Sequence, residues 1–97
     1  MCLYLAVAAT LAGGLYGIEN ELDPPEAVAG DAYAHTDLAE LPRSLEESLP
    51  LFLEGKVARE YLGDELVDFY AATRKWEMES FRSALTDWEV KRYLEYL

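Results

Sequence analysis

A mainly α-helical fold of four to five helices is predicted by three features of the 97-residue sequence. Apolar residues recur at three- and four-residue spacing through the second half of the chain, the pattern of helices with one buried face. Two Ser/Thr-x-x-Glu sequences stand immediately before such runs and read as helix-opening capping boxes. No stretch alternates between apolar and polar residues for long enough to propose a strand, and there is no internal repeat.

The first element is apolar rather than amphipathic. Residues 1–18, MCLYLAVAATLAGGLYGI, carry no charge. A run of this length reaches the lower limit for a membrane-spanning helix. Against that reading, Gly13, Gly14 and Gly17 crowd one end, and acidic residues follow without a basic anchor. A secretory signal is disfavoured because no Lys or Arg precedes the apolar stretch. What remains is a soluble helix from about Cys2 to Leu15, apolar on every side, of the kind that sits in the middle of a larger structure.

Residues 19–40 hold Pro24, Pro25 and Gly30 among scattered acids without helical period, and read as an irregular connection. Residues 41–97 read as a helical array with a terminal hairpin. Ser44 and Glu47 predict a capping box, after which Leu45, Leu49 and Phe52 share one face; Pro50 requires that helix to be short or kinked. Gly55 punctuates, and a short helix follows with Val57, Tyr61 and Leu62 inward. Gly63 suits a helix-closing left-handed position, and Asp64 is placed to cap the next helix. Leu66, Phe69, Tyr70, Thr73, Trp76, Phe81, Ala84 and Leu85 then keep helical spacing for about five turns. Thr86-Asp87-Trp88-Glu89 is the second capping box, opening a last helix with Val90, Tyr93, Leu94 and Leu97 on one side.

Composition narrows the partners. Eight basic and nineteen acidic residues give a net charge of −11, so neither a phosphate backbone nor an anionic membrane surface is a partner. The 52% hydrophobic content is too high for a disordered acidic tail. One cysteine, Cys2, provides no internal disulfide framework and fits a reducing, cytoplasmic compartment.

No self-contained active site can be assembled from these residue types. His35 is the only imidazole and lies in the polar connection, where an exposed loop histidine is expected; a zinc site needs three or four ligands and a general base needs a positioned partner. Cys2 has no electropositive setting to activate it and is expected as a small buried thiol. Glu60 with Asp64, and Glu65 with Asp68, have spacings that can bind hard cations, but the same spacings arise on any solvated acidic face, as does the pairing of Glu46 with Arg43. Gly13-Gly14 lacks a following Lys-Ser/Thr, and Gly55-Lys56 lacks the upstream glycines of a phosphate-binding loop. Trp76, Phe81, Trp88 and Tyr93, at helical period and without basic residues between the rings, are expected in a core rather than on a stacking platform.

Five blocks in order carry a resemblance. They are Tyr4-Leu5-Ala6-Val7-Ala8-Ala9-Thr10-Leu11-Ala12-Gly13-Gly14-Leu15-Tyr16-Gly17-Ile18-Glu19, Leu41-Pro42-Arg43-Ser44-Leu45, Leu62-Gly63-Asp64-Glu65-Leu66-Val67, Glu77 to Phe81, and Thr86-Asp87-Trp88-Glu89 with Tyr93-Leu94-Glu95. Together they resemble the carboxy-terminal segment of the glutamine synthetase family, including its glutamylpolyamine synthetase-like branch. The resemblance implies the C-terminal helical part of a glutamine synthetase catalytic domain without its β-sheet. It further implies an ATP-dependent ligase that activates a glutamate carboxylate as an acyl phosphate and joins it to ammonia or an amine, in stacked rings with active sites between subunits. In that family the metal-binding glutamates and histidine, the nucleotide contacts and the substrate-binding arginines come from the sheet upstream of this segment. The resemblance therefore assigns no catalytic, cofactor-binding or metal residue here, and ATP and Mg²⁺ or Mn²⁺ are implied for the full-length family only. Met1-Cys2-Leu3 stands where the family commonly reads alanine-asparagine-proline.

The residues and the resemblance meet on the first helix. A helix apolar all round is expected if it packs against a sheet, and leaving several hundred Å² of it in water forgoes many kcal/mol at about 25 cal/mol per Å². The expected role is thus structural, with no catalysis by the chain alone. Its expected partner is the catalytic sheet of a synthetase, or a second copy through the apolar helix. An autonomous helical interaction module is the alternative, and a small metal protein built on the acidic clusters is a third reading.

Overall fold

A computed structural model describes residues 2–95. Among them are five α-helices and no strand: α1 (Leu3–Glu19), α2 (Leu45–Glu54), α3 (Lys56–Leu62), α4 (Asp64–Ser83) and α5 (Asp87–Leu94). A single 3-10 turn over Ala32–Ala34 interrupts the long connection between α1 and α2. The expected placement of Leu97 on the face of α5 lies outside the described residues.

α1 continues past the expected end at Leu15, through Gly17 to Glu19. Nothing in this stretch blocks helical backbone, and the Asn20 side chain closes the helix by donating from Nδ2 to the Tyr16 carbonyl oxygen at 2.9 Å. α2 accommodates Pro50 within ten residues, so it is short. Its cap is half of the expected box: Ser44 Oγ accepts from the Glu47 N–H at 3.2 Å, but the Glu47 carboxylate reaches past Ser44 to the Arg43 N–H at 2.9 Å. The box opening α5 is complete, with Glu89 N–H donating to Thr86 Oγ1 and Thr86 N–H donating to Glu89 Oε2 at 2.9 Å.

Gly63 ends α3 and begins α4 at φ +85° and ψ 147°, a backbone conformation essentially reserved for glycine. Asp64 therefore does not cap α4. It is already the first helical residue, and its carboxylate is engaged by Arg59 instead.

The packing is a chain of pairs: α2 on α4, α3 on α4, and α1 on α3. Phe52 meets Tyr70 edge-on across α2 and α4, ring centroids 5.9 Å apart, and the Arg74 guanidinium lies 5.2 Å from the centroid of the same tyrosine. Glu46 and Arg82 form an ion pair between the same two helices. Among the described residues the buried hydrophobic ones are Ala12, Leu49, Val67 and Ala71, and of these Val67 is fully buried.

So small a core leaves an open molecule. The radius of gyration is 18.6 Å, against about 12.5 Å for a compact domain of this length. The surface is 8866 Å², against roughly 5600 Å² for a compact monomer of this mass. Trp76, Phe81, Trp88 and Tyr93, expected in a core, are 62–70% exposed. Their spacing does place them on helical faces, but no part of the described chain covers those faces. Ala84 and Leu85 also leave the stripe assigned to them, because α4 ends at Ser83 and Ala84 turns extended at ψ 134°. Cys2, expected buried, is exposed for the same reason: the end of α1 that carries it lacks a covering element.

Candidate interaction face

α1 has two faces that differ in what they meet. Buried Ala12 and half-buried Leu5, Ala8 and Tyr16 recur at helical spacing on one side. There Tyr16 stands edge-on to Tyr61 of α3, centroids 6.3 Å apart and planes at 89°. The Tyr61 hydroxyl donates to the Glu19 carboxylate, fixing the C-terminal end of α1 to α3. That bond, with burial and the negative charges of Glu19 and Glu60, pushes the Tyr61 phenol up to about 12.

The second face is a stripe of Leu3, Tyr4, Val7, Leu11, Leu15 and Ile18, each more than half exposed and Tyr4 89% exposed. No charge interrupts it, since the first charged residue of the chain is Glu19. Gly14 falls within this stripe, and a Cβ added there would meet nothing within 4 Å. Isolated exposed leucines are ordinary, whereas six large apolar side chains on one uninterrupted face form a contiguous patch of the kind found at interaction sites. The N-terminal end of the helix has no side-chain cap and no acidic residue in its first turn. An open hollow of about 230 Å³ adjoins that end, lined by Cys2, Leu5, Ala9, Phe52, Leu62 and Tyr70 among others, with no carboxylate in its lining.

What holds the other helices in register is Arg59, a residue the sequence pattern does not single out. Its Nε donates to the Leu53 carbonyl oxygen at the end of α2 at 2.7 Å, Nη1 to Asp64 at 2.7 Å and Nη2 to Asp68 at 2.8 Å. Both carboxylates sit on α4, so one guanidinium joins three helices. Hydrogen bonds to Asp68 and then Asp64 raise its pKa above the ordinary arginine value. The partners lie five and nine residues away across a helix break, a spacing that no single-helix rule detects.

The residues considered for chemistry are dispersed. Glu60 and Asp64 belong to different helices, and Asp68, three residues from Glu65, is taken by Arg59. Arg43 pairs with Glu40 at 2.8 Å rather than with Glu46, which faces Arg82. His35 is exposed in the connection, with Nε2 3.3 Å from the Ala29 carbonyl oxygen and Nδ1 3.9 Å from Asp37. Among the described residues no three His, Cys, Asp or Glu side chains converge as a metal ion requires. That dispersed set does not fit a divalent cation. No helix among them is long and apolar enough to cross a membrane.

Residues 1–93 match the family model described as glutamine synthetase, catalytic domain. The chain is 42% identical over 98 residues to type-1 glutamine synthetase 2 of Dictyostelium discoideum, covering 97% of this chain and 19% of that protein. It is 42% identical over 96 residues to the glutamate–isopropylamine ligase of a Pseudomonas species, covering 97% and 21%. It is 41% identical over 92 residues to the gamma-glutamylethanolamide synthetase of Streptomyces coelicolor, covering 95% and 20%. The chain thus spans about one fifth of the length of these relatives. No solved structure matches it.

Proposed function

Because this chain belongs to the glutamine synthetase family and corresponds to the C-terminal region of its catalytic domain, we propose that it is the helical backing of a glutamate–amine ligase. Its role in that reading is structural. The outer stripe of α1 lies against the catalytic sheet, which comes from outside these 97 residues, and the chain performs no catalysis alone. The assembled enzyme, in the cytoplasm, uses ATP with Mg²⁺ or Mn²⁺ bound elsewhere to join glutamate to ammonia or another amine. The exposed stripe from Leu3 to Ile18 carries this reading, because a sheet face supplies the broad apolar cover that the stripe lacks here. Burying it excludes water from beneath the sheet and holds in place the strands that would present the reacting groups.

The test is complementation. A synthetase of this family, truncated before the homologous segment, is mixed with the chain, and ATP- and glutamate-dependent amide formation is followed together with co-elution. Co-elution with recovered activity is expected, and no turnover by the chain alone. Failure to bind the truncated enzyme, or ligase activity of the isolated chain, overturns the proposal. An autonomous helical interaction module draws on the same exposed stripe, and stable binding without recovered turnover would favour it.

A further inference from the structure

We propose that α3 is a crank between two parts of the chain: it turns only about its own long axis, it carries α1 with it, and Arg59 sets the angle at which it stops. The device stands on contacts within the chain, whether or not that chain backs a ligase.

α3 is separated from α2 by Gly55 alone and from α4 by Gly63 alone. α2 and α4 pack on one another, with Phe52 against Tyr70 and Glu46 paired to Arg82, and so form one body. A link tied to the same body at both ends by single residues keeps one rotation, about the line through its two ends. For a straight helix of seven residues that line runs close to the helix axis. Both joints require glycine, for different reasons. Gly63 has φ +85°, where an L side chain is strained, and a Cβ on Gly55 would stand 3.0 Å from the Leu51 carbonyl oxygen. Residues at the ends of elements are where hinges absorb their backbone changes.

The two sides of α3 have different tasks. At about 100° per residue, Arg59 and Tyr61 stand about 200° apart, on opposite sides of the helix. Tyr61 faces α1, edge-on to Tyr16 and donating its hydroxyl to Glu19, and α1 packs chiefly on α3. Packed helices lie about 8–10 Å apart, so a roll of α3 by about 20° displaces α1 by about 3 Å. On the other side Arg59 donates to the Leu53 carbonyl oxygen of α2 at 2.7 Å and to Asp64 and Asp68 of α4 at 2.7 and 2.8 Å. All three acceptors belong to the α2–α4 body. A planar guanidinium meets three fixed acceptors within a narrow range of roll, because hydrogen bonds weaken steeply as they lengthen and bend. Arg59 is thus a positioning residue that acts on α1 through α3 and Tyr61. Both carboxylates are largely exposed, so added salt loosens the stop.

Double electron–electron resonance on the 97-residue chain in a Cys2→Ser background tests the crank. Spin labels at Thr10→Cys on α1 and Glu79→Cys on α4 read the swing, and labels at Leu51→Cys on α2 and Glu79→Cys read the body; all three positions are exposed. With Arg59 in place both distance distributions should be narrow. Arg59→Ala should broaden the α1–α4 distribution or shift its mean by about 3 Å, and leave the α2–α4 distribution as it was. Asp68→Asn, a milder change that weakens one acceptor, should act in the same direction to a smaller degree, and it decides the outcome if circular dichroism shows that Arg59→Ala has lost helix. About 1 M salt should move the wild-type distribution toward that of Arg59→Ala. The proposal is overturned if both substitutions leave the α1–α4 distribution unchanged, or if the α2–α4 distribution broadens equally. A wild-type α1–α4 distribution already as broad as that of Arg59→Ala overturns it too.

Discussion

The Tyr61 hydroxyl donates a hydrogen bond to the Glu19 carboxylate, tying the last residue of α1 to α3 across 42 positions of sequence. A phenol can donate only while it keeps its proton, so this tie is complete below the ordinary tyrosine value of about 10. It is lost as pH rises through about 12, the raised value of Tyr61. Ultraviolet titration of the seven tyrosines should show a step near 12 that is absent from Tyr61→Phe. The same substitution should speed amide exchange at the C-terminal end of α1 while leaving α2 and α4 unchanged.

Arg59 donates to three oxygens in three directions, and the fork geometry of a guanidinium is what allows it. Arg59→Ala should lower the thermal midpoint. Arg59→Lys should recover only part of the loss, because one ammonium cannot reach Leu53, Asp64 and Asp68 together. Both carboxylates are largely exposed, so added salt should narrow the gap between wild type and Arg59→Ala.

At the opening of α5, hydrogen bonds from the Thr86 backbone and hydroxyl hold the Glu89 carboxyl below the usual glutamate range. A depressed folded value means that stabilisation is complete above the ordinary value of about 4.3 and disappears as pH falls through the lowered one. Helix content over residues 87–94, followed by NMR carbon shifts, should fall in that acid window. Glu89→Gln should flatten the pH dependence. Thr86→Ala should cost the α5 helix about 1 kcal/mol near neutral pH.

Two glycines should respond to alanine in opposite senses. Gly13 lies inside α1 with open space where a Cβ would go, so Gly13→Ala should stabilise that helix by about 1 kcal/mol. Gly63 sits at φ +85°, where an L side chain is strained, so Gly63→Ala should destabilise by about 1–3 kcal/mol. Thermal melts followed by circular dichroism check both.

The helices were legible because their determinants are local. Thr86 with Glu89 announces α5, the spacing from Leu66 to Phe81 announces α4, and an uncharged run announces α1. The resemblance to glutamine synthetases was legible in the same way, from short blocks in order. Burial was not. Period tells which residues share a face but not whether this chain supplies the surface opposite, and so Trp76, Phe81, Trp88 and Tyr93 are solvent-facing where a core was expected. Cys2 follows the same logic. The junction details were hidden for another reason. Asp64, read as a cap, became a ligand of Arg59 because Gly63 places α4 one residue earlier, and the two-sidedness of α1 depends on Tyr61, far along the chain.

The connection from residues 20 to 44 gives α1 an unusual independence. Its contacts run chiefly to α3, and the strap to α2 is about 25 residues long, enough slack to reach across most of the molecule. A protease nick in that strap would leave two non-covalent pieces meeting mainly at Tyr16, Tyr61 and Glu19. α1 could then be supplied separately as a synthetic peptide, marginally helical alone and fixed as a helix on recombining with the rest.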